Sequence, residues 1–216
     1  MSSANGRGFD AFLFDFDGVL ADTEPVHWKA WADALSSSTG FELTWATYQR
    51  FAIGSPDTAL AALIESMGGP SAGQVMSEIF PRKSTLFLER VRTNPPILPE
   101  TREMIRVLSA QRSVAVVSSS TRTEIEPVLE AARLRSCFHA LVFGEDVQEL
   151  KPAPEPYQKA AALLGAVRPI VFEDSEPGLA SGRAAGFAVV HVGQPSELAR
   201  LVGSVLDGEE TAKLVS

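Results

Sequence analysis

Short apolar runs that alternate with helical segments constrain the fold more than any other feature of this chain. Each run is bounded by turn residues and is too short for a helix, which predicts a buried strand. Regular alternation of strands and helices predicts an α/β fold, in which a parallel sheet carries helices on both faces. The runs lie at 9–14, 114–117, 140–143, 170–172 and 187–192, and helical patterns at 123–134, 154–164 and 177–185.

One long interval between the first two runs breaks this alternation. It contains no convincing strand, and its apolar residues recur at helical spacing. We therefore predict a helical cap domain, residues 22–95, inserted into a core domain formed by residues 1–21 and 96–216. Because the insert begins directly after the first strand, we expect it to form a lid over whatever that strand presents. The predicted cap helices lie at 26–35, 58–67 and 74–91.

Two carboxylates, Asp15 and Asp17, stand at the predicted end of the first strand and are followed by Gly18. Strand side chains alternate between faces, so residues two apart can point into one site. Carboxylates in this position are costly unless they bind a metal or take part in chemistry. One would then act as a nucleophile or metal ligand and the other as an acid or base. A solvated Asp-Gly turn is the simpler alternative.

Polar residues also follow the second, third and fourth predicted strands. They are the serines at 118–120, then Lys151, then Glu173 and Asp174. Ligands of open parallel sheets bind at this carboxyl edge. Singly, these residues could be a helix cap, a surface charge and a turn, but their joint placement favours one site. Carboxylates, a lysine and free amides suit phosphoryl transfer assisted by Mg²⁺.

Composition excludes several other classes of function. The formal net charge of −8 argues against a nucleic-acid partner or an anionic membrane surface. No apolar run approaches the roughly 18 residues that a membrane-spanning helix needs. A single cysteine, Cys137, allows no internal disulfide, which suits a reducing compartment. We therefore expect a cytoplasmic protein whose partner is a small molecule.

Four segments, taken in order, resemble the signature motifs of the haloacid dehalogenase superfamily, and the helical insert resembles its small cap. The resemblance covers roughly residues 9–193. It implies a Rossmann-like sheet with the strand order 5-4-1-2-3. It also implies phosphate-ester chemistry, because the 2-haloacid dehalogenases lack the second carboxylate. The segments are Asp15-Phe16-Asp17-Gly18-Val19-Leu20, Val117-Ser118, Lys151-Pro152 and Glu173-Asp174.

The resemblance implies a role for each motif residue. Asp15 attacks phosphorus, forms a phosphoaspartate and ligates Mg²⁺. Asp17 serves as the general acid and then as the base, and its backbone carbonyl ligates the metal. Ser118 and the Ser119 amide bind the phosphoryl oxygens, and Lys151 neutralises Asp15 and the phosphate.

The fourth motif completes the implied metal site. Asp174 holds the metal, and Glu173 does so directly or through water. Because adjacent strand residues point in opposite directions, Asp174 ranks above Glu173 as a direct ligand. The third motif departs from the family in one respect, since Leu150 stands where members commonly have glycine. We expect Lys151 to keep its role, with a locally different turn.

Residues 22–31 resemble the cap entrance of β-phosphoglucomutase and its phosphatase relatives. The resemblance implies that His27 helps to position the acid/base aspartate and that Lys83 contacts the substrate's remote phosphate. A surface or core histidine is an equal alternative for His27. The mutase's cap arginine, a bidentate phosphate clamp, has no counterpart in the loop that contains Pro56.

The absence of that arginine favours hydrolysis over isomerisation. We therefore expect a Mg²⁺-dependent phosphatase of small phosphorylated metabolites, sugar phosphates above all. Two alternatives stay open: a phosphosugar mutase of the β-phosphoglucomutase kind, and a non-catalytic binding protein that keeps the fold.

Overall fold

A computed structural model of the chain describes residues 8–208; the remaining parts of the predicted core domain, 1–7 and 209–216, lie outside it. Five strands form one parallel sheet in the order β3-β2-β1-β4-β5. This confirms the predicted order, with the first strand between the second and the fourth. The strands are β1 (Ala11–Phe14), β2 (Ser113–Val117), β3 (Ala140–Val142), β4 (Pro169–Glu173) and β5 (Ala188–His191).

The central strand β1 is buried on both faces of the sheet. On one face, Leu13 packs with Ala115 and Val171 of the flanking strands. On the other face, the ring of Phe172 stacks on those of Phe12 and Phe14, with centroids 6.0 and 5.0 Å apart. Burial on both faces explains why the strand appears in the sequence as a continuous apolar run rather than an alternating pattern.

Residues Thr23–Pro95 form a compact helical unit with its own apolar core. Trp31, Leu35, Leu60 and Ile64 are among the side chains buried in this core. A five-residue π-helix (Val75–Ile79) precedes the last helix of the unit, α5 (Phe80–Thr93). The helices of this unit are α1 (Glu24–Thr39), α2 (Trp45–Phe51), α3 (Asp57–Ser66), α4 (Ala72–Gln74) and α5 (Phe80–Thr93).

The α/β unit comprises Met1–Asp22 and Pro96–Ser216, of which residues 8–22 and 96–208 are described. Helix α8 (Glu155–Leu164) contacts β1, β2 and β3 and buries Tyr157, Ala160 and Ala161 against one face of the sheet. Small alanine side chains allow the helix to approach the strands closely. The helices of this unit are α6 (Pro99–Ser109), α7 (Arg122–Ala131), α8 (Glu155–Leu164), α9 (Glu176–Ala184) and α10 (Leu198–Leu206).

Helices α2 and α10 are among those that were not predicted from the sequence. Helix α2 has only seven residues, too few for its apolar spacing to stand out. Helix α10 follows the last strand and packs on α6. Across residues 8–208, no helix combines the length and apolar character needed to cross a bilayer.

Candidate active site

Lys151 is the centre of a buried ionic network at the carboxyl edge of the sheet. Its ammonium group donates to Asp15 Oδ1 at 2.6 Å, to Glu173 Oε1 at 2.5 Å and to the carbonyl of Val117 at 3.0 Å. These acceptors follow β1, end β4 and end β2, so one side chain joins three strands. An ammonium group has three hydrogens. The three acceptors therefore use its full donor capacity and hold the nitrogen in place.

Glu173 lies in the interior, with 0% of its surface exposed, and its carboxylate is surrounded by donors. Oε1 accepts from the hydroxyl of Tyr157 at 2.9 Å in addition to Lys151. Oε2 accepts from the Asp174 amide and from the amide and hydroxyl of Ser175 at 3.0 to 3.1 Å. Gly178 is required here, because a Cβ atom would lie 1.8 Å from Oε1. These contacts make Glu173 the anchor of Lys151.

A cluster of oxygen donors beside the network fits a divalent cation. One carboxylate oxygen from each of Asp15, Glu173 and Asp174 lies within 4.8 Å of the others. Gly18, with a φ of +81°, leaves room for the Asp174 carboxylate, since a Cβ atom would lie 2.1 Å from its Oδ2. Hard oxygen donors without sulfur or imidazole suit Mg²⁺. The residues present therefore fit the metal that the family resemblance implies.

Crowded negative charge shifts the protonation equilibria of this cluster. Burial raises the pKa of Asp15 well above its usual value, and the carboxylates of Glu173 and Asp17 add to the rise against the attraction of Lys151. Burial and the Glu173 carboxylate raise the pKa of Asp174 to about 6. Burial alone would lower the pKa of Lys151, but Asp15 and Glu173 outweigh it and raise that pKa. A divalent cation at this site would offset the excess negative charge.

The loop after β2 contacts the second carboxylate of the first motif. The hydroxyl of Ser120 donates to Asp17 Oδ2 at 2.8 Å, and the hydroxyl of Ser118 lies 3.5 Å from the same oxygen. Ser118 is buried, whereas Ser119 is exposed at the mouth of the loop. The second motif therefore lies beside the first, as neighbouring parallel strands require.

Leu150, which stands where family members commonly have glycine, does not distort the backbone of its turn. Its side chain is half exposed, and its carbonyl accepts from the Ala153 amide in a turn. Among the described residues, the only one other than glycine with a positive φ is Arg133. The backbone at Leu150 therefore does not need glycine, and Lys151 reaches both carboxylates.

Two predicted site residues, His27 and Lys83, lie together inside the helical unit. The ring of His27 stacks on Phe87 with centroids 4.1 Å apart. Lys83 is buried, with its nitrogen 3.8 Å from Asp57 Oδ2 and 5.4 to 5.8 Å from the rings of Trp31, Phe80 and Phe87. Burial, and then the charge of Lys83, lower the pKa of His27 to about 3. His27 is therefore neutral near pH 7, and substrate contacts of both residues stay predictions.

Comparison with known protein families identifies the family to which this chain belongs. The sequence profile described as haloacid dehalogenase-like hydrolase matches residues 9–186, most of the chain. This chain belongs to the haloacid dehalogenase-like hydrolases. The match spans all four motifs and the helical insert, which confirms the resemblance on which the sequence interpretation relied.

Curated relatives of this hydrolase act on phosphorylated sugars. It is 30% identical to the fructose-1-phosphate phosphatase of Escherichia coli over 190 residues, which cover 85% of this chain and 96% of the relative. It is 31% identical to the β-phosphoglucomutase of Mycobacterium bovis over 211 residues, covering 83% and 79%. A crystal structure of a hydrolase of this family from Deinococcus radiodurans, with bound phosphate and sodium, matches with a TM-score of 0.67 and 26% identity, covering 89% and 88%.

Sequence reasoning missed two residues of the site. Tyr157 was indistinguishable from a core aromatic, because helical periodicity does not reveal that its hydroxyl meets Glu173. Ser120 was noted only as the third of three serines. The contact of its hydroxyl with Asp17 depends on how the loop turns after Val117, which alternation along a strand does not give.

Proposed function

We propose that this hydrolase is a Mg²⁺-dependent phosphatase of small sugar phosphates that works through a phosphoaspartate on Asp15. The observation that carries the proposal is the contact of Lys151 with Asp15, together with Asp17 two residues further along. A nucleophilic carboxylate next to a fixed ammonium group, with a second carboxylate nearby, is what phosphate-ester cleavage requires. The fructose-1-phosphate phosphatase relative supports a sugar phosphate as the substrate.

In the first step, a carboxylate oxygen of Asp15 attacks phosphorus and the ester P–O bond breaks. The Asp17 carboxyl gives its proton to the departing ester oxygen, which leaves as an alcohol. Ser118 and the Ser119 amide hold phosphoryl oxygens, and the Lys151 ammonium group offsets their charge. The site then holds an aspartyl phosphate and an ionised Asp17.

In the second step, a water molecule attacks the same phosphorus atom. Asp17 takes a proton from this water, the bond between phosphorus and the Asp15 oxygen breaks, and inorganic phosphate is released. Both carboxyl groups return to their starting forms, so the cycle balances. Glu173 keeps Lys151 in position throughout, because its two oxygens are held by protein donors.

Asp15, Asp174 and the Asp17 carbonyl are the proposed metal ligands, with Glu173 acting directly or through water. When bound, the cation would offset negative charge between Asp15 and the phosphoryl oxygens. Asp174 is the stronger candidate for a direct ligand, because the Glu173 oxygens already accept from five protein donors.

One observation favours a second candidate, a phosphosugar mutase: the β-phosphoglucomutase relative is as similar as the phosphatase. The two candidates differ in the acceptor of the phosphoryl group, which is water for a phosphatase and a sugar hydroxyl for a mutase. A non-catalytic role is disfavoured, because a binding protein has no need to keep a nucleophile beside an acid.

The test is ³¹P NMR of a panel of sugar monophosphates with Mg²⁺, run with and without a hexose bisphosphate primer. The proposal expects inorganic phosphate to grow without primer and to stop when EDTA removes the metal. Primer-dependent isomer signals without release of inorganic phosphate would overturn hydrolysis in favour of the mutase.

The Asp15→Asn variant tests in the same assay whether Asp15 is the nucleophile. We expect it to abolish phosphate release, since an amide does not attack phosphorus. The control is Asp207→Asn, which makes the same chemical change at an exposed residue after α10 and should keep full activity. Phosphate release by Asp15→Asn at the control's rate would contradict the assignment.

A further inference from the structure

Ser120 is a polar side chain of the site to which neither the family motifs nor the proposed chemistry assigns a task. Its hydroxyl donates to Asp17 Oδ2 at 2.8 Å, the shorter of the two serine contacts to that oxygen. The hydrogen bond between Ser120 and Asp17 joins the loop after β2 to the loop after β1. Both loops belong to the α/β unit, so the contact lies within one compact body.

The backbone of Ser120 is itself held on both sides. Its amide donates to the Ser118 hydroxyl at 3.0 Å, and its carbonyl accepts from the Gly144 amide at 3.1 Å. Gly144 allows the loops to approach, because a Cβ atom there would lie 2.4 Å from the Ser119 carbonyl oxygen. A side chain supported in this way can hold another group in a productive orientation.

We propose that Ser120 is a positioning residue for the general acid, holding Asp17 by one carboxylate oxygen. This inference rests on the proposed phosphatase function. Because the hydroxyl donates to Oδ2, that oxygen is an acceptor, and the transferable proton of the acid belongs to Oδ1. Ser120 thus favours Oδ1 as the oxygen of Asp17 that gives its proton to the leaving group.

The inference predicts a dependence on the leaving group. An alkoxide leaving from a sugar phosphate needs a proton as the P–O bond breaks, so its departure depends on a well-placed acid. The 4-nitrophenolate ion is a weak base and leaves without that proton. Loss of the Ser120 hydroxyl should therefore slow the first reaction and spare the second.

The experiment compares kcat/KM of Ser120→Ala for two substrates, fructose 1-phosphate and 4-nitrophenyl phosphate, since this parameter reports the steps up to formation of the phosphoenzyme. We expect a loss of about 10- to 100-fold for the sugar phosphate, a part of what a general acid contributes, and of less than about threefold for the aryl phosphate. Ser120→Thr keeps a hydroxyl and should recover most of the sugar-phosphate activity.

Thr121→Ala is the matched control in the same loop. The Thr121 hydroxyl contacts Thr123 and Glu124 rather than Asp17, so this variant should leave the ratio of the two activities unchanged. Thermal unfolding monitored by circular dichroism checks that each variant is folded. If Ser120→Ala does not fold, Ser120→Cys, which keeps the size but is a weak donor, replaces it.

Equal losses on the two substrates, or no loss on either, would overturn the positioning role. Failure of the proposed function has a different signature. In that case the wild-type enzyme would hydrolyse neither substrate, and the inference would fall with the function on which it rests.

Discussion

The two units of this hydrolase each contain a lysine that is nearly inaccessible to solvent, and they hold it by different means. In the α/β unit, Lys151 makes ion pairs of 2.6 and 2.5 Å, and its side chain is 5% exposed. In the helical unit, Lys83 is 2% exposed, but its ion pair with Asp57 measures 3.8 Å and three aromatic rings surround it.

Within each unit, the difference is between a charge held by short hydrogen bonds and a charge surrounded by aromatic rings. Short hydrogen bonds to three acceptors define the position of the Lys151 nitrogen, which suits a positive charge that must offset phosphoryl charge at a fixed place. Aromatic faces attract a cation over a broad range of positions and define its location less sharply. Within the helical unit, Lys83 thus lies among aromatic rings, and its contact with substrate stays a prediction.

The largest expected effect comes from Lys151→Met. This change leaves Asp15 and Glu173 buried without their cation, which should cost about 3–5 kcal/mol of unfolding free energy. Phosphatase activity should fall to background, because the phosphoryl charge is no longer offset. Urea unfolding and kcat/KM measure the two effects. Activity near that of the wild type would break the claim that this lysine serves the chemistry.

A smaller effect is expected from His27, which lies close to Lys83. Its pKa is about 3 in the folded protein and 6.5 in the unfolded chain, so the unfolded chain binds more protons between these values. Stability should therefore fall as the pH drops from 6.5 towards 3. Between pH 6.5 and 5 the loss should be about 1.5 kcal/mol.

The His27→Gln variant tests this dependence by urea unfolding at several pH values. It should lose less stability than the wild type over the same pH range, since glutamine does not titrate. His191→Gln, at an exposed position on β5, is the control and should behave like the wild type. An unchanged pH dependence in His27→Gln would show that His27 is not held neutral.

The smallest expected effect comes from Lys83→Met. Methionine has a similar volume and contacts aromatic rings favourably, which offsets the lost cation–π attraction. We expect the unfolding free energy to change by less than about 1 kcal/mol, because the Asp57 carboxylate that loses its partner is 34% exposed and can be solvated. A loss as large as that of Lys151→Met, measured by urea unfolding, would erase the contrast between the two lysines.

Much of the α/β unit could be predicted from the sequence. A strand buried on both faces must be apolar throughout, so β1 and its neighbours stood out and their order followed from the family. The cluster at the sheet edge followed from Asp15 and Asp174 directly after β1 and β4, and from Lys151 in the segment after β3. Parallel strands bring their carboxyl ends together whatever the details of the loops.

The missed features depend on packing between distant segments. Lys83, which the resemblance assigns to a substrate phosphate, is buried among rings from α1 and α5. The aromatic residues Trp31, Phe80 and Phe87 can be read from the sequence. Their convergence on the Lys83 nitrogen depends on how the helices pack, which the sequence pattern does not give. The same holds for Tyr157, whose hydroxyl meets Glu173 only because α8 packs against the sheet.

The central claim, that Asp15 carries the phosphoryl group, is tested most directly by trapping the phosphoenzyme. The Asp17→Asn variant should react with 4-nitrophenyl phosphate, whose leaving group needs no acid, but should be slow to activate water. Acid quenching followed by peptide mass spectrometry should then find one phosphoryl group, on Asp15. Release of phosphate by this variant with no phosphoryl group on Asp15 at any time point would contradict the account.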